Sequence, residues 1–143
     1  LYHGKQENPF TLFDRVARRD LQGALESLAI VLLARRAEPV QLLVALLSQF
    51  QKLADLKHLV AGGEQISAAM RKLRIHSKRM QQTYREADAA YDLGEVEAVH
   101  AALVEFDSRL RLFSSELAPA LLQLAVYHAV VPGGRAALRP ARV

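Results

Sequence analysis

Two residue pairs in the 143-residue chain have the spacing on which helical proteins build metal sites: Glu97-x-x-His100 and Asp55-x-x-His58. A carboxylate and an imidazole three residues apart share one helical face, as in di-iron bundles, where further carboxylates converge inside the core. Against the seam through Val99, Leu103, Phe106 and Leu110, however, Glu97 points nearly away and His100 lies on the flank. Asp55 and His58 share the polar side of their own helix with Gln51. Both pairs are therefore expected on solvated surface, with no metal. The chain has no cysteine, which removes disulfides, thiolate zinc sites and cysteine nucleophiles together. Neither G-x-x-x-x-G-K-[ST] nor G-x-G-x-x-G occurs, so no phosphate loop is present. Gly62-Gly63 follows a helix, where a left-handed stop accounts for it. His76 reads as a surface group in a turn, and His128, on an apolar helix, as a locally hydrogen-bonded one. No catalytic residue, cofactor, metal or small-molecule substrate is expected.

The densest charge lies at Arg71, Lys72, Arg74, Lys78, Arg79 and Arg85, with Gln81 and Gln82 between the last two. The segment 64–90 resembles a helix-turn-helix, and these side chains would offer donors to phosphates and base edges from the outer face of its second helix. Two readings stand beside each other: a DNA-binding helical domain, or a basic surface that is solvated or faces an acidic partner protein. The apolar signal is of another kind. Ala29 to Ala34 is apolar on every side, and Leu117 to Val131 is interrupted only by Gln123, Tyr127 and His128. Such helices need cover on several sides. The cover is either the chain itself, for a central helix, or a neighbouring subunit, for a second face. Leu117, Leu121, Leu124, Tyr127, His128 and Val131 are the candidate residues of that subunit interface.

The elements that hold these groups are helices. Apolar residues recur three and four apart almost everywhere, and no strand alternation appears. Asn8-Pro9 caps a short helix that runs to about Arg18 with Phe10, Phe13, Val16 and Ala17 on one face. Asp20 caps a second, striped by Leu21, Leu25, Leu28 and Leu32. Glu38-Pro39 opens a third, carrying Leu43, Leu46, Leu47, Phe50, Leu53 and Val60 as far as Gly62. A short helix over Glu64 to Leu73, a turn over Arg74 to His76 and a Ser77 cap lead to a helix with Met80, Tyr84, Ala87 and Tyr91 on one seam. Asp92 and Glu95 make a capping-box start for a helix whose Val96, Val99, Leu103, Phe106, Leu110 and Phe113 repeat in a near-heptad. Ser114 or Ser115 begins the last helix, with Pro119 in its first turn, and Pro132, Gly133 and Gly134 end it. The expectation is an all-α compact bundle of about six to seven helices.

Composition is that of an ordinary globular chain, 51% apolar and 24% charged, with a net charge of +4. The uncharged run Leu117 to Val131 is shorter than the roughly 20 residues a bilayer span needs, so no membrane role is expected. The chain opens on Leu1, which suggests a piece of a longer protein: residues 1–8 as a linker from an upstream module, 9–131 as the helical domain, and 132–143 as a flexible basic tail.

The order of these elements resembles a family, the C-terminal collar domain of the delta subunit of the bacterial DNA polymerase III clamp loader. Asn8-Pro9-Phe10-Thr11-Leu12-Phe13-Asp14, with Arg19-Asp20 and Ala24-Leu25 after it, is similar to the family's first helical hairpin. Glu38-Pro39, Leu42-Leu43, Gln49-Phe50, Leu53 and Lys57 are similar to its most recognisable run. Ile75-His76 with Lys78, the start from Tyr91 to Val96, and Asp107 with Arg111 match the later pattern. The chain departs from it at Arg36-Ala37, where the family often has glycine, and at Arg111-Leu112-Phe113, where it often has lysine–threonine–glycine. The resemblance implies a non-catalytic oligomerisation domain of clamp-loader collar type in the bacterial cytoplasm, whose partners are gamma/tau and delta-prime collars. The parent would be a non-catalytic subunit of the polymerase holoenzyme, related to AAA+ proteins. The sliding clamp and primed DNA would be reached only through the complete complex.

Overall fold

Asn8 starts the fold: its side chain accepts from the Phe10 and Thr11 amides, while the Thr11 hydroxyl accepts from the Asn8 amide at 2.7 Å. Pro9 occupies the first turn, where its missing N–H costs nothing. Helix α1 then spans Pro9–Ala17. The structure is a computed structural model that describes residues 7–35, 37–113 and 115–131. Most of the expected linker, the basic tail, Ser114 as a helix start and the Pro132-Gly133-Gly134 stop lie outside the described residues.

Helix α2, Leu21–Leu33, is capped by the Asp20 carboxylate, which accepts from the Gly23 amide at 2.9 Å. A Cβ at residue 23 would run into that carboxylate and the Arg15 guanidinium, so any larger residue there would make both side chains shift. Helix α3, Pro39–Ala61, begins where the Gln41 side chain accepts from the Glu38 amide at 2.9 Å, and it stops at Gly63, whose φ of +104° suits only glycine. Helices α4, Ile66–Lys72, and α5, Lys78–Ala90, flank a five-residue turn. The Asp92–Glu95 capping box opens α6, Leu93–Leu112, and a 3₁₀ turn, Ser115–Leu117, leads into α7, Ala118–Val130. All seven α-helices follow the order legible in the sequence, and no strand occurs among the described residues.

Helix α3 is the spine, packing most extensively on α6, while α7 fills the space between α6 and α2. An aromatic column runs through the centre. Phe13 meets the edge of Phe50 at 5.8 Å and packs on Tyr84 at 5.2 Å, and Phe50 meets Tyr91 at 5.4 Å. The buried Tyr91 hydroxyl shares its proton between the carbonyls of Val16, 2.9 Å away, and Ala129, 2.7 Å away. One phenol thereby ties the ends of α1 and α7 to the α5–α6 junction. Arg19 lies over its ring at 4.0 Å and donates to Glu95 at 2.8 Å. That double contact accounts for an arginine in the left-handed region, φ +57°, where glycine is usual. Lys57 bonds both the carbonyl and the carboxylate of Asp88, fastening the end of α3 to α5.

One packing expectation needs correction, and one open choice is narrowed. Helix α6 ends at Leu112, so Phe113 leaves the seam and is half-exposed. The apolar end of α2 is covered by its own chain on one side only: Val31 is fully buried and Ile30 and Leu32 are half-buried, while Leu33 is 84% exposed and Ala29 and Ala34 are exposed beside it. No α2 residue beyond Leu32 finds a groove among α1, α3 and α7.

Candidate docking face and basic surface

Helix α7 buries Ala118, Leu122, Ala125, Val126, Ala129 and Val130. Three alanines on that side let its backbone sit close to α6 and α2. The opposite side remains apolar and open. Leu117 is 49% exposed, Leu124 50% and Tyr127 37%, while Leu121, His128 and Val131 lie half-buried at the edges. His128 is held by rings rather than by the hydrogen bond expected of it. It packs on Phe106 at 5.6 Å and on Tyr127 at 5.5 Å, and its Nδ1 meets no hydrogen-bond partner among the described residues.

The open side of α7 continues at the N-terminal end of the helix. A cleft of about 250 Å³, lined by Leu32, Arg35, Ala37, Glu38, Pro39, Ser115 and Pro119, brings the end of α2 and the start of α3 against the start of α7. Leu33, Leu112, Phe113 and Leu117 are all exposed at this end of the bundle, Leu112 at 78%. Leu112 stands off the seam through Phe106 and Leu110, which is the sign in the sequence that it faces outward. Phe113 lies on the seam, and the only local sign against its burial is the serine pair that follows it and ends the helix there.

The basic residues stand elsewhere. Arg71, Lys72, Arg74, Lys78, Arg79 and Arg85 are solvent-accessible around the α4–α5 turn. Ile75 is fully buried and plugs the turn between α4 and α5 into the core. Gln81 is not an outward donor as expected: its Nε2 turns back to the carbonyls of Ile75, at 3.0 Å, and His76, at 3.3 Å, which stiffens the turn. Gln82 donates to Glu86 and Arg85 to the Ser67 hydroxyl, so the outer face of α5 beyond its first turn is occupied internally. Lys72 pairs with Glu64 at 2.9 Å, and Arg79 lies over the Phe10 ring at 5.7 Å. Arg71, Arg74 and Lys78 have no partner among the described residues. Arg74 in addition holds φ at +63° without a contact that explains it.

The two carboxylate–histidine pairs meet across the α3–α6 contact. His58 Nε2 is 3.8 Å from Glu97 Oε2, with both side chains more than half exposed, and His100 lines a shallow surface cleft with Gln51, Ala54, Glu97 and Ala101. Asp55 is taken up by Gln51 at 3.1 Å. The packing of α3 on α6 produces this juxtaposition, which neither helix's pattern contains. Among the described residues no three His, Asp or Glu side chains group where they could hold a metal ion, and no helix is long and apolar enough to cross a membrane.

No curated protein and no solved structure matches the chain. A family model does: that of the C-terminal domain of the DNA polymerase III delta subunit fits residues 6–125. The match spans α1 to α6 and the first half of α7, including the Glu38-Pro39 helix start and the Asp107–Arg111 pair, whose side chains bond at 3.1 Å. By that match, across most of its length, the chain belongs to the family formed by the C-terminal domains of DNA polymerase III delta subunits.

Proposed function

We propose that this domain is a collar: a non-catalytic oligomerisation module that joins the delta subunit to gamma/tau and delta-prime in the bacterial cytoplasm and so helps hold the clamp-loader pentamer together. The observation that carries the reading is the open apolar side of α7, Leu117, Leu124 and Tyr127, extended at its N-terminal end by Leu33, Leu112 and Phe113. Single exposed apolar residues are normal, but a gathered set marks an interface. Burying such surface against a neighbour is favourable by roughly 25 cal/mol per Å² before the costs of association. The charged residues beside it, Glu105 with Arg109 and Asp107 with Arg111, pair within the chain and suit a polar rim. In this reading the sliding clamp and primed DNA are engaged only by the assembled loader.

Size-exclusion chromatography of the 143-residue chain with gamma/tau and delta-prime tests the reading. Co-elution is expected, and Leu124→Glu with Tyr127→Glu should abolish it while leaving the helical circular dichroism unchanged. If the doubly substituted chain associated as well as the unaltered one, or if the unaltered chain failed to associate where intact delta does, the collar role would lose this face.

A further inference from the structure

Charge in this molecule is concentrated to an unusual degree. The fifteen residues from Arg71 to Arg85 contain six Lys and Arg and no Asp or Glu, a formal +6, against +4 for the entire chain. All the other residues together are net acidic by two. Among the described residues three carboxylates touch the segment: Glu64, bound to Lys72; Asp14, which accepts from the Thr83 hydroxyl at 2.9 Å; and Glu86, which receives Gln82 and lies 3.8 Å from Arg18. Arg71, Arg74 and Lys78 converge on the α4–α5 turn from the end of one helix, the turn itself and the start of the next, and none is paired among the described residues. Long-range repulsion among them favours an anionic occupant.

The chemistry around these cations discriminates between occupants. A protein partner needs an apolar core to desolvate, yet the exposed large hydrophobic residues among the described ones are Leu33, Val44, Val104, Leu112, Phe113, Leu117, Leu124 and Tyr127, none of them on α4, the turn or α5. A single nucleic-acid strand needs a run of aromatic faces on which bases stack, yet Tyr84 and Tyr91 are buried, which leaves the His76 imidazole as the one exposed ring of this segment. A duplex backbone needs only cations and donors at phosphate spacing. On the outer face of α5, Gln82 and Arg85 are drawn onto Glu86 and Ser67 by exposed bonds of 3.1 and 3.2 Å, so these donors are not preset toward base edges.

We infer that the α4–turn–α5 surface binds the phosphate backbone of a nucleic-acid duplex without sequence preference, through Arg71, Arg74 and Lys78 with Lys72 and Arg79 at the flanks. The surface is separate from the α7 docking side, since α4 and α5 pack chiefly on α3 and α1, and the inference does not depend on the collar reading.

Fluorescence anisotropy of the 143-residue chain with a labelled 20-base-pair DNA of arbitrary sequence reads this directly. Binding in the micromolar range at low salt is expected, unchanged on a scrambled duplex. The log–log salt slope should be about −3 to −5, at roughly −0.9 per phosphate neutralised. Arg71→Glu/Arg74→Glu/Lys78→Glu should weaken binding at least about tenfold and flatten the slope by about 3. A control of equal charge change, Arg35→Glu/Arg109→Glu/Arg111→Glu, should weaken it less than threefold or so, and circular dichroism establishes that both variants fold. Absence of binding by the unaltered chain at 50 mM salt, or equal losses in both variants, overturns the inference. Tighter binding of the single strand overturns the choice of duplex. Polyglutamate that competes on equal terms, charge for charge, overturns it in favour of an acidic protein.

Discussion

Tyr91 concentrates more of the fold than any other side chain. Its hydroxyl serves two buried carbonyls from opposite ends of the chain, its ring abuts Phe50, and Arg19 covers the ring. Tyr91→Phe keeps the ring but removes the donor to the Ala129 carbonyl and one of the two to Val16, which retains the Arg19 amide at 2.9 Å; a buried acceptor stripped of its partner costs about 1–3 kcal/mol. Urea denaturation should show a loss of that size with little change in the slope of the transition. Burial also pushes the phenols of Tyr84 and Tyr91 well above their ordinary value of 10.0. For Tyr91 the positive charge of Arg19 offsets part of that rise, and Glu95 adds to it. The sign follows: above pH 10 the unfolded chain loses both protons while the folded chain retains them, so the unfolded state binds fewer protons and stability falls as pH rises. Stability should be flat in this respect below pH 10 and fall above it by up to about 1.4 kcal/mol per pH unit for each tyrosine. The tyrosinate absorbance of these two residues should appear together with unfolding rather than before it.

At the scale of the element, α7 shows what a pattern without a polar face leaves open. Its residues are apolar nearly all round, so its composition requires burial but does not say which half is buried within the chain. Packing answers that through the alanines: Ala118, Ala125 and Ala129 face α6 and α2 because only small side chains let three helices approach there, and Leu124 and Tyr127 are turned outward as a result. Leu122→Ala should therefore cost about 2–5 kcal/mol in thermal or urea unfolding, as expected for a core cavity. Leu124→Ala, two residues on, should change stability by no more than about 0.5 kcal/mol. Equal losses at the two positions would mean that the outward face is packed in solution.

The whole molecule separates two surfaces of different chemistry. The apolar one follows the open side of α7 and the end of the bundle where α2, α3, α6 and α7 meet; the cationic one surrounds the α4–α5 turn. Helices α3 and α1 lie between them and are themselves well buried, which keeps the two sites from sharing side chains. Changes in distant sites without shared partners add. Reversing Arg71, Arg74 and Lys78 should accordingly leave association with gamma/tau and delta-prime within about twofold of the unaltered chain, and Leu124→Glu with Tyr127→Glu should do the same for duplex binding. Chromatography and anisotropy on the same preparations measure both.

Much of this architecture is written locally. Asn8-Pro9, Asp20, Glu38-Pro39, Ser77 and Asp92–Glu95 act through bonds that span three residues or fewer, so these five helix starts are legible without knowledge of the fold, whereas α4 and α7 start without a side-chain cap, and α7 begins at Ala118 rather than at Ser115. The basic segment is legible for the same reason: charges adjacent in the chain stay adjacent at a turn. What only the tertiary structure decided is which apolar residues remain outside and which polar ones meet. Phe113 continues a packed seam in sequence and yet emerges at the end of the bundle, Gln81 turns inward, and His58 finds Glu97 across the α3–α6 contact. These outcomes depend on how helices dozens of residues apart settle side by side, and no periodicity within a single helix records where its neighbours stop.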